Sequence, residues 1–533
     1  MHELELIIGL LVAITVLAEV AERIRLPYPV LLVLAGIGIG LVPGLPRIEL
    51  HPDVVFLIFL PPLLYAAAWN TSWTEFKAAR RPIFLLALGC VLFSTGLVAV
   101  VAHYLIPDFS WTVAFVLGAI VSPPDAVAAA SATKGLGVNR RVLTILEGES
   151  LVNDATGLIA YRYAVAAVLT GQFVFWEASL QLVWVAAGGA ALGIGLAWVV
   201  YRVHRITPHN PIIDTSLTFL TPYLAYLVAE ELHVSGVLAV VAAGLFLSRR
   251  SAAIFTYQAR LQAYAVWNTI VFLLNGVVFI LIGLQLPYIL ERLGSEIPAW
   301  EALRHGVLIS LAVILGRLLW VYGGAYLPRL LSRRIRAQEP LTTWRLVTVV
   351  AWTGMRGVVS LAAALALPLL ASPGVPFPHR DLILFLTFVV IFCTLVLQGL
   401  SLRPLIRWLG LPPDRSLEQE EHRVRLALAT NSVEYLESHY GFGRVPEEVL
   451  SQMKTRYEIR IQRLHNRAGG VVASRLDSKH LAQYENLLED LIRMERERVQ
   501  QWRASEEVNE EVLRKLENEL DLEESRLMLD RGY

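Results

Sequence analysis

Between Ile145 and Ala155 the chain reads Ile-Leu-Glu-Gly-Glu-Ser-Leu-Val-Asn-Asp-Ala, which sets three carboxylates, an amide and a hydroxyl inside an otherwise apolar stretch. Glu149, Ser150, Asn153 and Asp154 share one face of a helix over little more than one turn, because side chains one, four and five positions apart fall together at about 3.6 residues per turn. A carboxylate, an amide oxygen and a hydroxyl are hard ligands suited to a small cation. The same Asp154 carboxylate, when empty and partly desolvated, holds a proton instead. A site that takes a cation or a proton but not both is the heart of an exchanger, with Asp154 holding the transported cation.

Two further constellations bear on that face. Ser122-Pro123-Pro124-Asp125 interrupts a long apolar run, and consecutive prolines remove backbone donors and push each preceding residue out of helical geometry. Thr353-Gly354-Met355-Arg356-Gly357 places two glycines and a charge in the middle of another run. Both helices are expected to break, with Pro123, Pro124, Gly354, Arg356 and Gly357 at the breaks. Ser122, Pro124 and Asp125 are then expected to offer a hydroxyl, a freed carbonyl and a carboxylate to the ion. Glu149 asks for a different role. Gly316-Arg317 lies inside the apolar run from Leu311 to Val321, so a buried Glu149–Arg317 ion pair is expected as a structural brace and not as a ligand.

These residues need a membrane around them. With 533 residues, 55% hydrophobic and 17% charged, and a mean hydropathy of +0.54, the chain reads as a polytopic all-α membrane protein. A crossing helix needs about 20 mostly apolar residues. Thirteen candidate spans follow, near 4–21, 29–45, 53–69, 82–105, 111–133, 141–169, 179–201, 212–230, 234–247, 264–288, 303–327, 343–370 and 381–402. Alternate connections gather twenty Lys and Arg on one side and four on the other. Basic residues mark the cytoplasmic side, so the N-terminus is expected outside and the C-terminus inside. Arg162, Arg317 and Arg356 are left within the membrane. The two broken spans, the fifth and twelfth, stand seven apart, as they would in two inverted repeats joined by the seventh span, and paired interruptions of this kind point to an ion site.

The zero net charge conceals a split near Pro412, beyond which 25 Asp and Glu accompany 19 Lys and Arg. Residues 1–411 are read as the transmembrane domain and 412–533 as a cytoplasmic helical tail, with Leu481, Tyr484, Leu488 and Leu491, then Val512, Leu516 and Leu520, at helical spacing. Cys90 and Cys393 sit in apolar runs as small reduced hydrophobes. Glu3 and Glu5 precede the first apolar run, where a cleavable signal wants positive charge. His204 and His209 are read as loop residues. There is no zinc motif, phosphate-cradling glycine loop or nucleophile elbow, so neither enzyme chemistry nor a cofactor nor nucleic acid is expected. The surroundings are membrane lipid, and the tail's partner is not identified by the sequence.

Glu147 to Asp154 matches the EGES-x-x-ND signature of the monovalent cation/proton antiporters of the NhaP/NHE type, and the chain resembles that family over most of residues 1–410. Phe59 to Leu64, Ser122 to Val127, His233 to Gly236, Gly316-Arg317 and Gly354 to Gly357 support the resemblance. It implies a homodimer in the cell membrane, a dimerisation bundle beside a core bundle, and elevator-like alternating access. It also implies that Asp154 carries ion and proton, with Glu149 and Arg317 as the bracing pair. The sequence departs from the family in two places. Pro123-Pro124-Asp125-Ala126 stands where the family writes Asp-Pro, and Tyr65 and Ala66 follow the span-3 motif where some relatives carry an acid.

Asn153 in place of a second aspartate leaves one titrating group in the pair, which points to electroneutral exchange of one Na+ or Li+ for one proton. A K+/H+ exchanger and, from another class, a cation channel or membrane sensor on the same scaffold are the alternatives that the residues leave open.

Overall fold

The computed structural model describes residues 2–24, 26–42, 55–133, 136–171, 175–207, 210–293, 298–331, 333, 343–372, 374–411, 414, 416–440, 445–467, 478–505 and 510–531. Among these the chain is helical almost throughout. It divides into two compact units, Met1–Asp414 and Arg415–Tyr533. Pro412, where the change of composition falls, lies outside the described residues, as does His209.

In chain order the first unit holds α1 (His2–Arg23), α2 (Tyr28–Gly40), a π turn (Val55–Phe59) leading into α3 (Leu60–Asn70), α4 (Trp73–Ala78), and α5 (Arg80–Phe84), which continues through a π turn (Leu85–Cys90) into α6 (Val91–Leu105). Next come α7 (Trp111–Val121), α8 (Ala126–Thr133), α9 (Arg140–Thr170), α10 (Phe175–Ile206), α11 (Pro211–Glu231), α12 (Gly236–Ile254), α13 (Tyr257–Leu284) and α14 (Leu286–Leu293). The unit closes with α15 (Ala299–Leu331), α16 (Trp344–Trp352), α17 (Val358–Leu365), α18 (Arg380–Cys393) and, after a third π turn (Thr394–Gln398), α19 (Gly399–Leu409). A two-stranded antiparallel pair, β1 (Leu370–Ser372) and β2 (Val375–Pro376), follows α17, so the twelfth apolar run ends its helix five residues earlier than its composition suggests.

Among the described residues six helical runs are long and apolar enough to cross a membrane: Arg80–Leu105, Leu180–Ile206, Pro211–Glu231, Tyr257–Leu293, Ala299–Leu330 and Arg380–Leu409. At about 1.5 Å per residue, the 31-residue α9 is also long enough, and it is the charges within it that set it apart from the apolar six. Local chemistry fixes its ends. Asn139 caps the start by accepting from the Arg141 amide at 3.0 Å, and Gly171 ends it in the left-handed region at φ 70°.

Helices in lipid gain little from burying apolar surface against each other, so close packing has to come from small residues. Gly36 on α2 and Gly283 on α13 show this, because a Cβ on Gly36 would strike the Ile280 carbonyl and one on Gly283 the Val33 carbonyl. Two large apolar clusters result. One is built around α7, α17 and α18, the other around α3 and α12. α9 belongs to both: Leu146, Tyr161 and Val165 pack into the first, Leu151 and Ala155 into the second. The helix that carries the ND pair therefore runs along the seam between them.

The second unit comprises α20 (Ser416–Tyr440), α21 (Glu447–Arg467), α22 (Ser478–Ser505) and α23 (Glu510–Arg531). Leu513 and Leu520 of α23 pack with Val499 of α22, and Arg496 binds both Asp521 and Glu524 at 2.5 Å. The side chains of Leu481, Tyr484 and Val512 lie outside the described residues.

Candidate functional site

Both interrupted segments are open backbone, Ser122–Asp125 between α7 and α8 and Thr353–Gly357 between α16 and α17. They meet each other directly, the Asp125 amide donating to the Met355 carbonyl at 2.7 Å. A broken helix leaves carbonyls at one end and amides at the other without partners. Arg356 serves the carbonyl ends. Its Nε donates to Val121 O at 2.9 Å, Nη2 to Ser122 O at 3.3 Å and Nη1 to Gly354 O, so one guanidinium covers the last turns of α7 and α16. Its own amide donates to Thr394 Oγ1 at 3.1 Å.

Asp125 serves an amide end. Its Oδ1 accepts from the Val127 amide at 2.8 Å, capping α8. A Cβ at Gly357 would strike the other carboxylate oxygen, so glycine there is what lets the second break come up against this acid. Gly354 is held in the same way, since a Cβ would meet the Arg317 side chain.

α9 lies against this crossing. Asn153, fully buried, donates through Nδ2 to Pro124 O at 2.8 Å, while its Oδ1 is buried with no hydrogen-bond partner. Pro123 sits on Gly157 of the same helix. Asp125, Glu149, Ser150, Asn153, Pro124 and Thr353 line a small shared cavity. Asp154 does not line it; it is the next residue round α9, 7% exposed, and close enough to Asp125 for their charges to interact. Among the described residues no hydrogen bond to the Asp154 carboxylate is present. Ser122 is turned away from the cavity: its hydroxyl donates to Gly118 O at 2.5 Å and accepts from Thr95 Oγ1 at 3.0 Å, so it braces α7 instead of facing α9.

Glu149 and Arg317 form a two-pronged pair, Nη1–Oε1 2.5 Å and Nη2–Oε2 2.8 Å, with exposures of 1% and 0%. Arg317 Nη2 also donates to Val350 O at 3.2 Å, adding a second guanidinium to the carbonyl end of α16.

Three features escaped the sequence reading. Arg356 was visible as a mid-span charge, but its role as a cap for two helix ends was not. Arg162 is bound twice by Glu230 of α11, at 2.8 and 2.9 Å, and so ties α9 to α11. His204 is no loop residue: it lies within α10, fully buried, with Nδ1 2.8 Å from Asp214 Oδ1 on α11. The short connection from α10 to α11 was the available signal, since it sets two helix ends side by side.

Residues 9–408 match the family described as sodium/hydrogen exchanger, transmembrane. The chain is 33% identical to an uncharacterized Na+/H+ exchanger of Mycobacterium tuberculosis over 98% of its own length and 96% of that protein's. It is 34% identical to a sodium, potassium, lithium and rubidium/H+ antiporter of Bacillus pumilus, covering 75% of this chain and 61% of that one. Among solved structures it is similar to the sodium proton antiporter MjNhaP1 of Methanocaldococcus jannaschii, with a TM-score of 0.60 and 21% identity over 77% of this chain and 99% of the other.

Proposed function

Because the chain belongs to the sodium/hydrogen exchanger family, whose members are ion-transporting antiporters and not enzymes, we propose that it exchanges Na+ or Li+ for H+ across the cell membrane, one for one, by alternating access. The observation that carries this reading is the placement of Asp154. It is a buried carboxylate with no hydrogen bond among the described residues, beside the crossing of two broken helices.

The charges around it support one-for-one exchange. Glu149 and Arg317 cancel each other. Arg356 is engaged by carbonyl ends and Asp125 by the start of α8. The opposite charges of Arg356 and Asp125 also sum to zero, so the net charge of these groups is the one negative charge of Asp154, which a single cation or a single proton balances. Asn153 holds the Pro124 carbonyl and turns its free Oδ1 to the ion, with Ser150 and Asp125 beside it. The family needs no cofactor, and the cations are substrates.

In the same reading the chain crosses the membrane thirteen times in two inverted repeats, N-terminus outside, and works as a homodimer with residues 412–533 as a cytoplasmic helical tail of unknown partner. The seam position of α9 supports motion of one bundle against the other, since its contacts divide between the two clusters. A second reading, K+/H+ exchange, is favoured by the 34% identity to the Bacillus protein whose name includes potassium and rubidium.

Proteoliposomes with an imposed proton gradient test the proposal. Na+, Li+ or K+ is added in turn and internal pH followed with and without a clamped potential. Expected is cation-driven proton movement with Na+ and Li+ that the clamp leaves unchanged. No response to any of the cations would overturn exchange, response to K+ alone would select the second reading, and a rate that follows the potential would overturn the one-for-one stoichiometry.

A further inference from the structure

α17 has one end at the ion site and the other on Arg380. It begins beside Gly357, where a Cβ would strike the Asp125 carboxylate, and runs from Val358 to Leu365, about 12 Å or a little over two turns. Its residues are aliphatic apart from Ser360, whose hydroxyl is buried with no hydrogen-bond partner among the described residues. Apolar contact is non-directional, so the directional hold on this helix comes from its two ends.

The far end is held by Arg380. Its Nε donates to Leu367 O at 3.0 Å and its Nη2 to Leu365 O at 3.3 Å, from a side chain only 14% exposed. Arg380 is the first residue of α18, where a positive charge faces the positive end of that helix's own dipole. The position is poor for α18 and good for α17, whose carbonyl end carries the opposite sign. Asp381, 3.6 Å from the guanidinium, offsets the charge within α18. Arginine is used in the same way at the crossing itself, where Arg356 covers the ends of α7 and α16.

We propose, on the exchange reading, that Arg380 is a positioning residue for the ion site. By gripping the carbonyl end of α17 it fixes that helix along its axis, and so sets how Gly357 and the second break stand against Asp125 and the ion. Two hydrogen-bonded turns move as one piece, so a shift at Leu365 arrives at Val358. Without the grip, α17 keeps its place only part of the time. A site competent for a fraction of the time binds with affinity reduced by that fraction, and saturating ion draws it back. The mark of the role is a raised KM for Na+ at an unchanged maximal rate.

The test uses the purified full chain, in proteoliposomes over a series of Na+ concentrations and by hydrogen–deuterium exchange mass spectrometry in detergent. In Arg380→Gln the KM for Na+ should rise about ten-fold while the rate at saturating Na+ stays within about two-fold of the parent. The amides of Val358–Leu365 should exchange faster in that variant and be protected again by saturating Na+. Arg380→Lys keeps the charge and one donor group, so it should raise the KM only about three-fold, and it carries the test should the glutamine variant not fold. A KM that stays at the parent value in every variant that folds, with or without a fall in maximal rate, would make Arg380 a purely structural cap and overturn the proposal. Amides of α17 that exchange as in the parent would overturn it equally. A parent that moves no protons in response to Na+ would sink the exchange reading and this role with it, and the parent's own trace tells that outcome from a failure of the proposal alone.

Discussion

Removing either partner of the Glu149–Arg317 pair should cost far more than removing both. Glu149→Ala leaves a guanidinium with no exposure to water, its remaining neighbours being the Val350 carbonyl at 3.2 Å and the Cys90 thiol. Stranding one member of a buried pair costs roughly 3 to 5 kcal/mol. Arg317→Met strands the Glu149 carboxylate and also takes one of two donors from the Val350 carbonyl at the end of α16, which keeps the Thr353 hydroxyl at 3.1 Å, so the lost bond adds about 0.5 to 1.5 kcal/mol. The arginine variant should therefore be the less stable of the two. Glu149→Leu combined with Arg317→Met removes both charges and leaves only that lost bond, so it should return to within about 0.5 to 1.5 kcal/mol of the parent.

The assay is the fraction of monodisperse protein surviving a temperature series in detergent, read by fluorescence-detected gel filtration. The expected order of midpoints is parent, double variant, Glu149→Ala, Arg317→Met. Single variants that melt with the parent would show that the pair does not hold the fold. A double variant no better than the worse single one would show that shape or hydrogen bonding, not charge compensation, is what the pair supplies.

Asp154→Asn should abolish cation-driven proton movement while leaving the melting midpoint near that of the parent, and residual exchange would remove Asp154 from its role. Gly357→Ala forces a methyl group onto the Asp125 carboxylate, so it should depress exchange at least ten-fold; wild-type rates would mean that the two breaks are not held in register by this contact. Cysteines replacing Arg162 and Glu230, whose side chains meet between α9 and α11, should be joined by a bifunctional methanethiosulfonate reagent and arrest transport until reduced, whereas full activity after crosslinking would refute relative motion at that end. The proposed function makes proton and cation compete for one carboxylate, so falling pH should weaken apparent Na+ affinity, and the acid limb of the rate profile should move to lower pH as Na+ rises. An acid limb that stays fixed and disappears when residues 415–533 are removed would place pH control in the second unit.

What the sequence disclosed was whatever is dictated locally. Two prolines at 123 and 124 and two glycines at 354 and 357 break a helix whatever surrounds them, and the structure opens at both places. The face of α9 follows from its period alone. The Glu149–Arg317 pair was legible because two opposite charges buried in apolar runs have few other ways to exist.

The rest depended on which way a group turns once the helices pack. Ser122 has the right chemistry for a ligand and the right place in the chain, but its hydroxyl is used within α7 and by Thr95. Asn153 was expected to present its oxygen; its nitrogen is what grips the Pro124 carbonyl, and the oxygen is left over by that choice. Arg356 could be read only as a charge in the wrong place until Val121, Ser122 and Gly354 brought their carbonyls to it. The bonds of Asn153 and Arg356 are tertiary satisfactions of backbone groups that the local breaks had exposed. Prolines and glycines announce that such groups exist, but only the packed structure decides which side chain answers them.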